Sequence, residues 1–246
     1  MPGPGEPSLN FRISETVKRL GAREWPVVVA LLVPAAAVWG FIALADEVVE
    51  GETSHIDTAI LLALRTPGNP ADPLGPPWLE EVMRDFTALG GTAVLTMIAL
   101  AAIGFLVMDK KPRAAFAVTV AVSGGLLIST FIKMGIDRAR PDLVPHGSYV
   151  TTASFPSGHS MMAAVVYLTL AAMLARLRPD WRVRVYILLV AIIVVMLVGV
   201  SRVYLGVHWP TDVLAGWTVG SAWAMICWIV TLRLQRSGDV EPQGKT

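Results

Sequence analysis

Three short stretches of this chain hold the residue types that phosphate chemistry needs. They are Lys133-x6-Arg140-Pro141, Pro156-Ser157-Gly158-His159 and Ser201-Arg202-x5-His208-x3-Asp212. Together they supply two histidines, three cations and one carboxylate. Lysine and arginine clamp phosphoryl oxygens, arginine by bidentate contacts. One histidine can serve as nucleophile, and the other as acid for the leaving oxygen, a role suited to a group titrating near neutrality. That inventory is enough to cut a phosphate ester without a metal.

The spacings give each residue a local role. Pro210 suits the first turn of a helix, where its missing N–H is not needed. His208 then stands at the helix start, and Asp212, four residues on, shares its face. A carboxylate placed there holds one imidazole nitrogen as N–H and leaves the other its lone pair, the orienting logic of the aspartate in a serine-protease triad. Ser157 suits a helix N-cap, and Gly158 permits close backbone approach. The N–H groups of such a helix start favour a bound phosphate, with Lys133, Arg140 and Arg202 completing the clamp. Preorganised donors of this kind are usually the largest catalytic contribution. Nearby charges outside the pattern read otherwise: Arg138 as solvated, Asp137 and Asp142 as local ion pairs, and His55 and His146 as surface residues.

Taken singly, each stretch has a mundane reading. A lysine near a span end snorkels to the interface, and Ser-Gly-His at a helix start is mostly a cap. What gives them joint meaning is the frame that carries them. The chain is 54% hydrophobic and 16% charged over 246 residues, against roughly 25% charged in soluble domains. Six apolar stretches are long enough to span a bilayer, at about 26–45, 90–108, 112–132, 160–175, 185–205 and 210–232. Lys and Arg gather in the N-terminal tail, in the second and fourth connections and at the C-terminus, the segments that share one side if six spans alternate. That side is cytoplasmic by the positive-inside tendency. All three stretches then meet at the opposite, outer face. The expected organisation is a cytoplasmic tail over 1–25, a six-span domain over 26–233 and a cytoplasmic tail over 234–246.

The large outer connection, 46–89, carries five prolines and an acidic run that includes Asp57. Within it, 77–89 is expected to form a short interfacial helix, either a cap beside the site or only an anchor. Gly124, Gly125, Gly216 and Gly220 are expected to allow close helix packing. Cys227, the single cysteine, permits no intrachain disulfide.

The three stretches resemble, without a substitution, the signature of the type 2 phosphatidic acid phosphatase (PAP2) superfamily. The resemblance implies an all-α polytopic membrane protein with six transmembrane helices around a PAP2-type core, in the cytoplasmic membrane with its site facing outward. It further implies that His208 attacks phosphorus to form a phosphohistidine supported by Asp212. His159 would protonate the leaving group, while Lys133, Arg140, Ser157, Gly158 and Arg202 hold the phosphate oxygens. No metal or other cofactor is implied. The expected partners are membrane lipids and a lipid phosphate substrate, such as undecaprenyl diphosphate, phosphatidate, phosphatidylglycerol phosphate or lipid A phosphates, and not nucleic acid. Oligomeric state is left open. Alternatives are a lipid phosphotransferase with the same chemistry, a transporter or binding protein with a degenerate site, and an intramembrane metalloprotease. The last is disfavoured because no His-Glu-x-x-His pattern is present.

Overall fold

The computed structural model describes residues 31–144 and 152–237. The N-terminal tail, the first residues of span one, His146 and positions 238–246 lie outside the described residues. The chain runs through α1 (Leu31–Glu50), α2 (Ser54–Ala63), a small antiparallel hairpin of β1 (Arg65–Thr66) and β2 (Asn69–Pro73), and α3 (Pro77–Leu89). Then follow α4 (Thr92–Met108), α5 (Pro112–Gly135), α6 (Gly158–Arg176), α7 (Trp181–Tyr204) and α8 (Pro210–Ser237). In the hairpin, Arg65 pairs with Pro73 and Thr66 with Asn69.

Five of these helices, α1 and α5 to α8, are long and apolar enough to cross a membrane. The pair α3–α4, bent by 44° at its break, makes a sixth if counted as one span, so that 77–89, expected as a short interfacial helix, runs on into α4 across that break. Gly90 and Gly91 form that break. A Cβ on Gly90 would meet Val198 Cγ1 at 2.4 Å and the His159 carbonyl at 3.3 Å, so the bend is seated directly on α6 and α7. Span one reaches Glu50 rather than 45, which moves Asp46, Glu47 and Glu50 from the outer loop into the helix. Arg182 and Arg184, expected in the fourth connection, lie in the first turn of α7, capped by the Asp180 side chain on Arg182 N at 2.9 Å. Two elements went unforeseen, α2 and the hairpin. Both interrupt a proline-rich segment whose sequence shows no sustained period.

At the centre stands α6, in contact with α4, α5, α7 and α8. Without a hydrophobic drive between helices in lipid, close backbone approach and interhelical hydrogen bonds hold such a bundle. Gly216 and Gly220 of α8 face α6 so closely that an added Cβ would sit 2.7 Å from the Ser157 carbonyl oxygen and 2.4 Å from that of Met161. Two tryptophans of α8 use glycine seats on the other neighbours. Trp217 lies over Gly199 and donates to the Val195 carbonyl at 3.1 Å, and Trp223 lies over Gly124 and donates to the Ala121 carbonyl at 2.8 Å. Each indole N–H thus finds the partner that hydrocarbon surroundings demand. Outward side chains such as Phe105, Phe116 and Phe131 are exposed on the bundle's surface, as lipid-facing residues should be.

Candidate active site

The ends of α5, α7 and the starts of α6, α8 meet at one end of the bundle. Ser157 N donates to the Asp212 carbonyl at 2.9 Å, tying the α6 start to the α8 start. The five residues between Arg202 and His208 have a structural reason. Gly206 takes φ +71°, its N–H reaches the Val203 carbonyl at 2.9 Å, and Val207 N–H reaches the Arg202 carbonyl at 3.2 Å. This is a Schellman cap, which ends α7 and turns the chain so that His208 lands just before Pro210.

Lys133, Arg140, Gly158, His159, Arg202 and His208 line one cavity of about 360 Å³. Ser157 and Asp212 lie behind its wall, both fully buried. Ser157 is the α6 N-cap, as expected. Its Oγ accepts from Ser160 Oγ at 2.9 Å and from Ser160 N at 3.4 Å, so its hydroxyl serves the helix. A Cβ on Gly158 would come within 3.8 Å of Lys133 Cε, so the glycine leaves room beside the lysine. His159 makes no side-chain hydrogen bond among the described residues, and both its ring nitrogens are available.

His208 is 2% exposed. Its Nε2 lies 3.1 Å from Arg140 Nη1, and its Nδ1 lies 3.4 Å from Asp212 Oδ2. A guanidinium can only donate, so Nε2 must carry the lone pair and Nδ1 the hydrogen. Burial pushes the His208 pKa down to about 4, against the opposing pull of Asp212, and the imidazole is neutral near pH 7. Burial likewise lowers the pKa of Arg140, partly offset by Asp212, and arginine's high ordinary value leaves it charged.

The cations are anchored differently. Arg140 donates from Nε to the Thr152 carbonyl at 2.9 Å and from Nη1 to the Val207 carbonyl at 2.7 Å. Lys133 Nζ donates to the Ala153 carbonyl at 2.6 Å. Arg202, 1% exposed, donates from Nη1 to Thr87 Oγ1 of α3 at 2.9 Å, while its buried Nε has no partner among the described residues. An unmet donor on a cavity-lining arginine is what an anionic ligand would satisfy. The Thr87 contact, with Tyr167 Oη donating to the Leu89 carbonyl at 2.9 Å, places α3 beside the site.

Several residues escaped the sequence reading. Ser154, fully buried, donates to Asp212 Oδ2 and sits 3.3 Å from His208 Nδ1; no motif marks it. Arg138 was expected in solvent. Instead it is largely buried and pairs with Asp212 Oδ1 at 2.7 Å and with Asp57 Oδ2 at 2.6 Å. Asp57, expected in the acidic outer connection, is 0% exposed within α2. Asp137 and Asp142, expected in local ion pairs, are exposed, and Arg138 takes its carboxylates from distant helices instead. His55 is exposed, as expected.

Residues 113–236 match the family model described as PAP2 superfamily. The chain is similar to phosphatidylglycerophosphatase B of Bacillus subtilis, 37% identical over 147 residues covering 58% of this chain and 71% of that protein. It is also similar to an undecaprenyl-diphosphatase of Sulfolobus acidocaldarius, 41% identical over 163 residues covering 64% of this chain and 67% of that one. The crystal structure of a transmembrane PAP2-type phosphatidylglycerolphosphate phosphatase from Bacillus subtilis superposes with a TM-score of 0.74 at 30% identity, covering 83% of this chain and 98% of that one.

Proposed function

The chain belongs to the PAP2 superfamily and is a phosphoric monoester or diphosphate hydrolase of the membrane, and on that premise we propose that it removes phosphate from a lipid phosphate or diphosphate at the outer face of the cytoplasmic membrane. The observation that carries this reading is His208: its Nε2 lone pair faces a cation-lined cavity while buried Asp212 holds its Nδ1–H. The cavity also runs along Leu95, Val122 and Leu126 of α4 and α5, which suits a headgroup attached to an apolar chain. The relatives named above act on phosphatidylglycerophosphate and undecaprenyl diphosphate.

Substrate oxygens draw Arg140, Lys133, Arg202 and the Gly158–His159 backbone around the phosphoryl group, and Arg140 releases Nε2. The Nε2–P bond forms as the P–O bond to the lipid breaks. Protonated His159 delivers its proton to the departing oxygen, while Asp212 steadies the positive charge on His208. Water, deprotonated by His159, then attacks phosphorus, and phosphate leaves with Nε2 restored. The outward placement of the site is supported by Arg176 at the α6 end, Arg178 between α6 and α7, and Arg182 and Arg184 at the α7 start, all at the other end of the bundle and on the side that the positive-inside tendency makes cytoplasmic.

The test is phosphate release by purified protein from phosphatidate, phosphatidylglycerophosphate, undecaprenyl diphosphate and a soluble monophosphate ester, with acid-labile phosphohistidine trapped in parallel. Lipids should be cleaved faster than the soluble ester, and the trapped label should vanish in His208→Ala. Equal rates on all four compounds would remove the lipid assignment.

A further inference from the structure

Asp57 lies 76 positions before Lys133 in the sequence, on a helix that carries none of the three motifs, and yet its buried carboxylate is built into the site. Its Oδ1 accepts from Thr211 N–H at 2.9 Å, and its Oδ2 accepts from Thr211 Oγ1 at 2.6 Å and from Arg138 Nη2 at 2.6 Å. The other arm of the same guanidinium, Arg138 Nη1, donates to Asp212 Oδ1 at 2.7 Å and to Thr211 Oγ1 at 2.8 Å. The guanidinium lies over the Trp209 ring, 5.7 Å from its centre. Arg138 is not among the residues lining the cavity.

This arrangement sets both oxygens of Asp212. Oδ1 goes to Arg138, and Oδ2 receives Ser154 Oγ and Trp209 N–H, at 2.9 Å for the latter, and faces His208 Nδ1. A carboxylate fully removed from water needs a partner charge to stay ionised, and a planar guanidinium held at both arms fixes orientation as well as charge. Asp212 and Thr211 Oγ1 hold one arm of the guanidinium, and Asp57, with Thr53 Oγ1 at 3.4 Å, holds the other. Asp57 supplies the charged partner on that second arm, and Thr211 ties the same corner to the α8 start.

We infer that Asp57 and Arg138 are positioning residues for the reaction: Asp57 of α2 clamps Arg138, and Arg138 holds Asp212 so that Oδ2 stays aimed at His208 Nδ1. The inference rests on His208 being the nucleophile. Phosphate itself is not touched by either residue, so their loss affects turnover and leaves binding alone.

The experiment measures kcat and KM for short-chain phosphatidate in detergent micelles, using purified full-length protein that elutes as a single folded species. Arg138→Gln should lower kcat by ~10–100-fold, the range seen when groups supporting a catalytic ligand are removed, with KM held within about twofold. Arg138→Lys keeps the charge and should recover part of the loss. Asp57→Asn keeps an acceptor for Thr211 and should also lower kcat at constant KM. The double variant should be no worse than Arg138→Gln alone, because both act on one path. Should Arg138→Gln fail to fold, Asp57→Asn carries the same expectation. Wild-type kcat in the folded variants, a rise in KM matching the fall in kcat, or multiplicative losses in the double variant would each overturn the inference. His208→Ala, run alongside, separates the two levels. Normal turnover there refutes the nucleophile reading itself, whereas an inactive His208→Ala beside a fully active Arg138→Gln refutes only the positioning.

Discussion

Replacing Gly216 by alanine adds one methyl group, one helical turn beyond Asp212, where α8 crosses the start of α6. That Cβ would stand 2.7 Å from the Ser157 carbonyl oxygen, 3.1 Å from Met161 N and 3.1 Å from Ser160 Cβ. All three are backbone atoms or the first atom of a side chain, so none can swing aside. The closest falls 0.7 Å short of the 3.4 Å at which ordinary contact begins, so the helices must part by about that much. Parting them stretches the Ser157 N to Asp212 O bond from 2.9 Å to about 3.6 Å, beyond hydrogen-bonding distance. It also moves Gly158 and His159, carried by α6, away from His208 and Asp212. Misplacement by 1 Å can slow a reaction ~100-fold, so Gly216→Ala should lower kcat/KM for phosphatidate by ~10–100-fold while the protein still folds. Gly104→Ala on α4 is the control, since nothing among the described residues lies within 4 Å of the added atom; it should be silent in activity. The assay is phosphate release from purified variants in matched detergent, with thermal melting to report folding. A folded Gly216→Ala enzyme within about twofold of wild type would refute the claim that this crossing sets the site geometry.

Four further outcomes follow from the same geometry. His208→Ala and Asp212→Ala should each lower kcat far more than they raise KM for phosphatidate, with phosphohistidine undetectable in the former; loss confined to KM would count against both roles. Histidine-selective nitrogen NMR should find the His208 ring neutral at pH 5.5 and protonating only near about 4, and a midpoint near the ordinary ~6.5 would contradict the burial argument. Because the folded value lies below the unfolded one, the unfolded chain takes up the proton first, and the stability present above ~6.5 should fall as pH drops toward about 4. Gly158→Ala meets no atom of the described residues closer than 3.8 Å and should melt like wild type, yet its methyl group occupies space beside Lys133 where phosphate is proposed to sit; unchanged phosphate release would place the phosphate elsewhere.

Much of the architecture was legible because hydrocarbon surroundings impose simple rules. An apolar run near bilayer length has few options other than a helix, so α4 to α8 sit within a few residues of expectation. Ser157 and Pro210 marked two helix starts by local chemistry alone. The expected glycines proved to be contact points, because only a missing side chain lets backbones meet at such distances. The connection 46–89 was not legible in the same way. Its short helix α2 packs on the α8 start, a contact that no local period records.

What the residue order determined by itself is the inventory of the candidate site and the end of the bundle where it gathers, since span alternation and three fixed spacings depend only on positions along the chain. Which charges support that site was decided by tertiary structure alone. Arg138 and Asp57 look like ordinary loop charges, and they become a buried pair only when α2 folds onto the α8 start. The reason is physical: backbone periodicity is local and written in the sequence, whereas a partner for a buried charge is chosen by distance in space, here across 81 positions between Asp57 and Arg138.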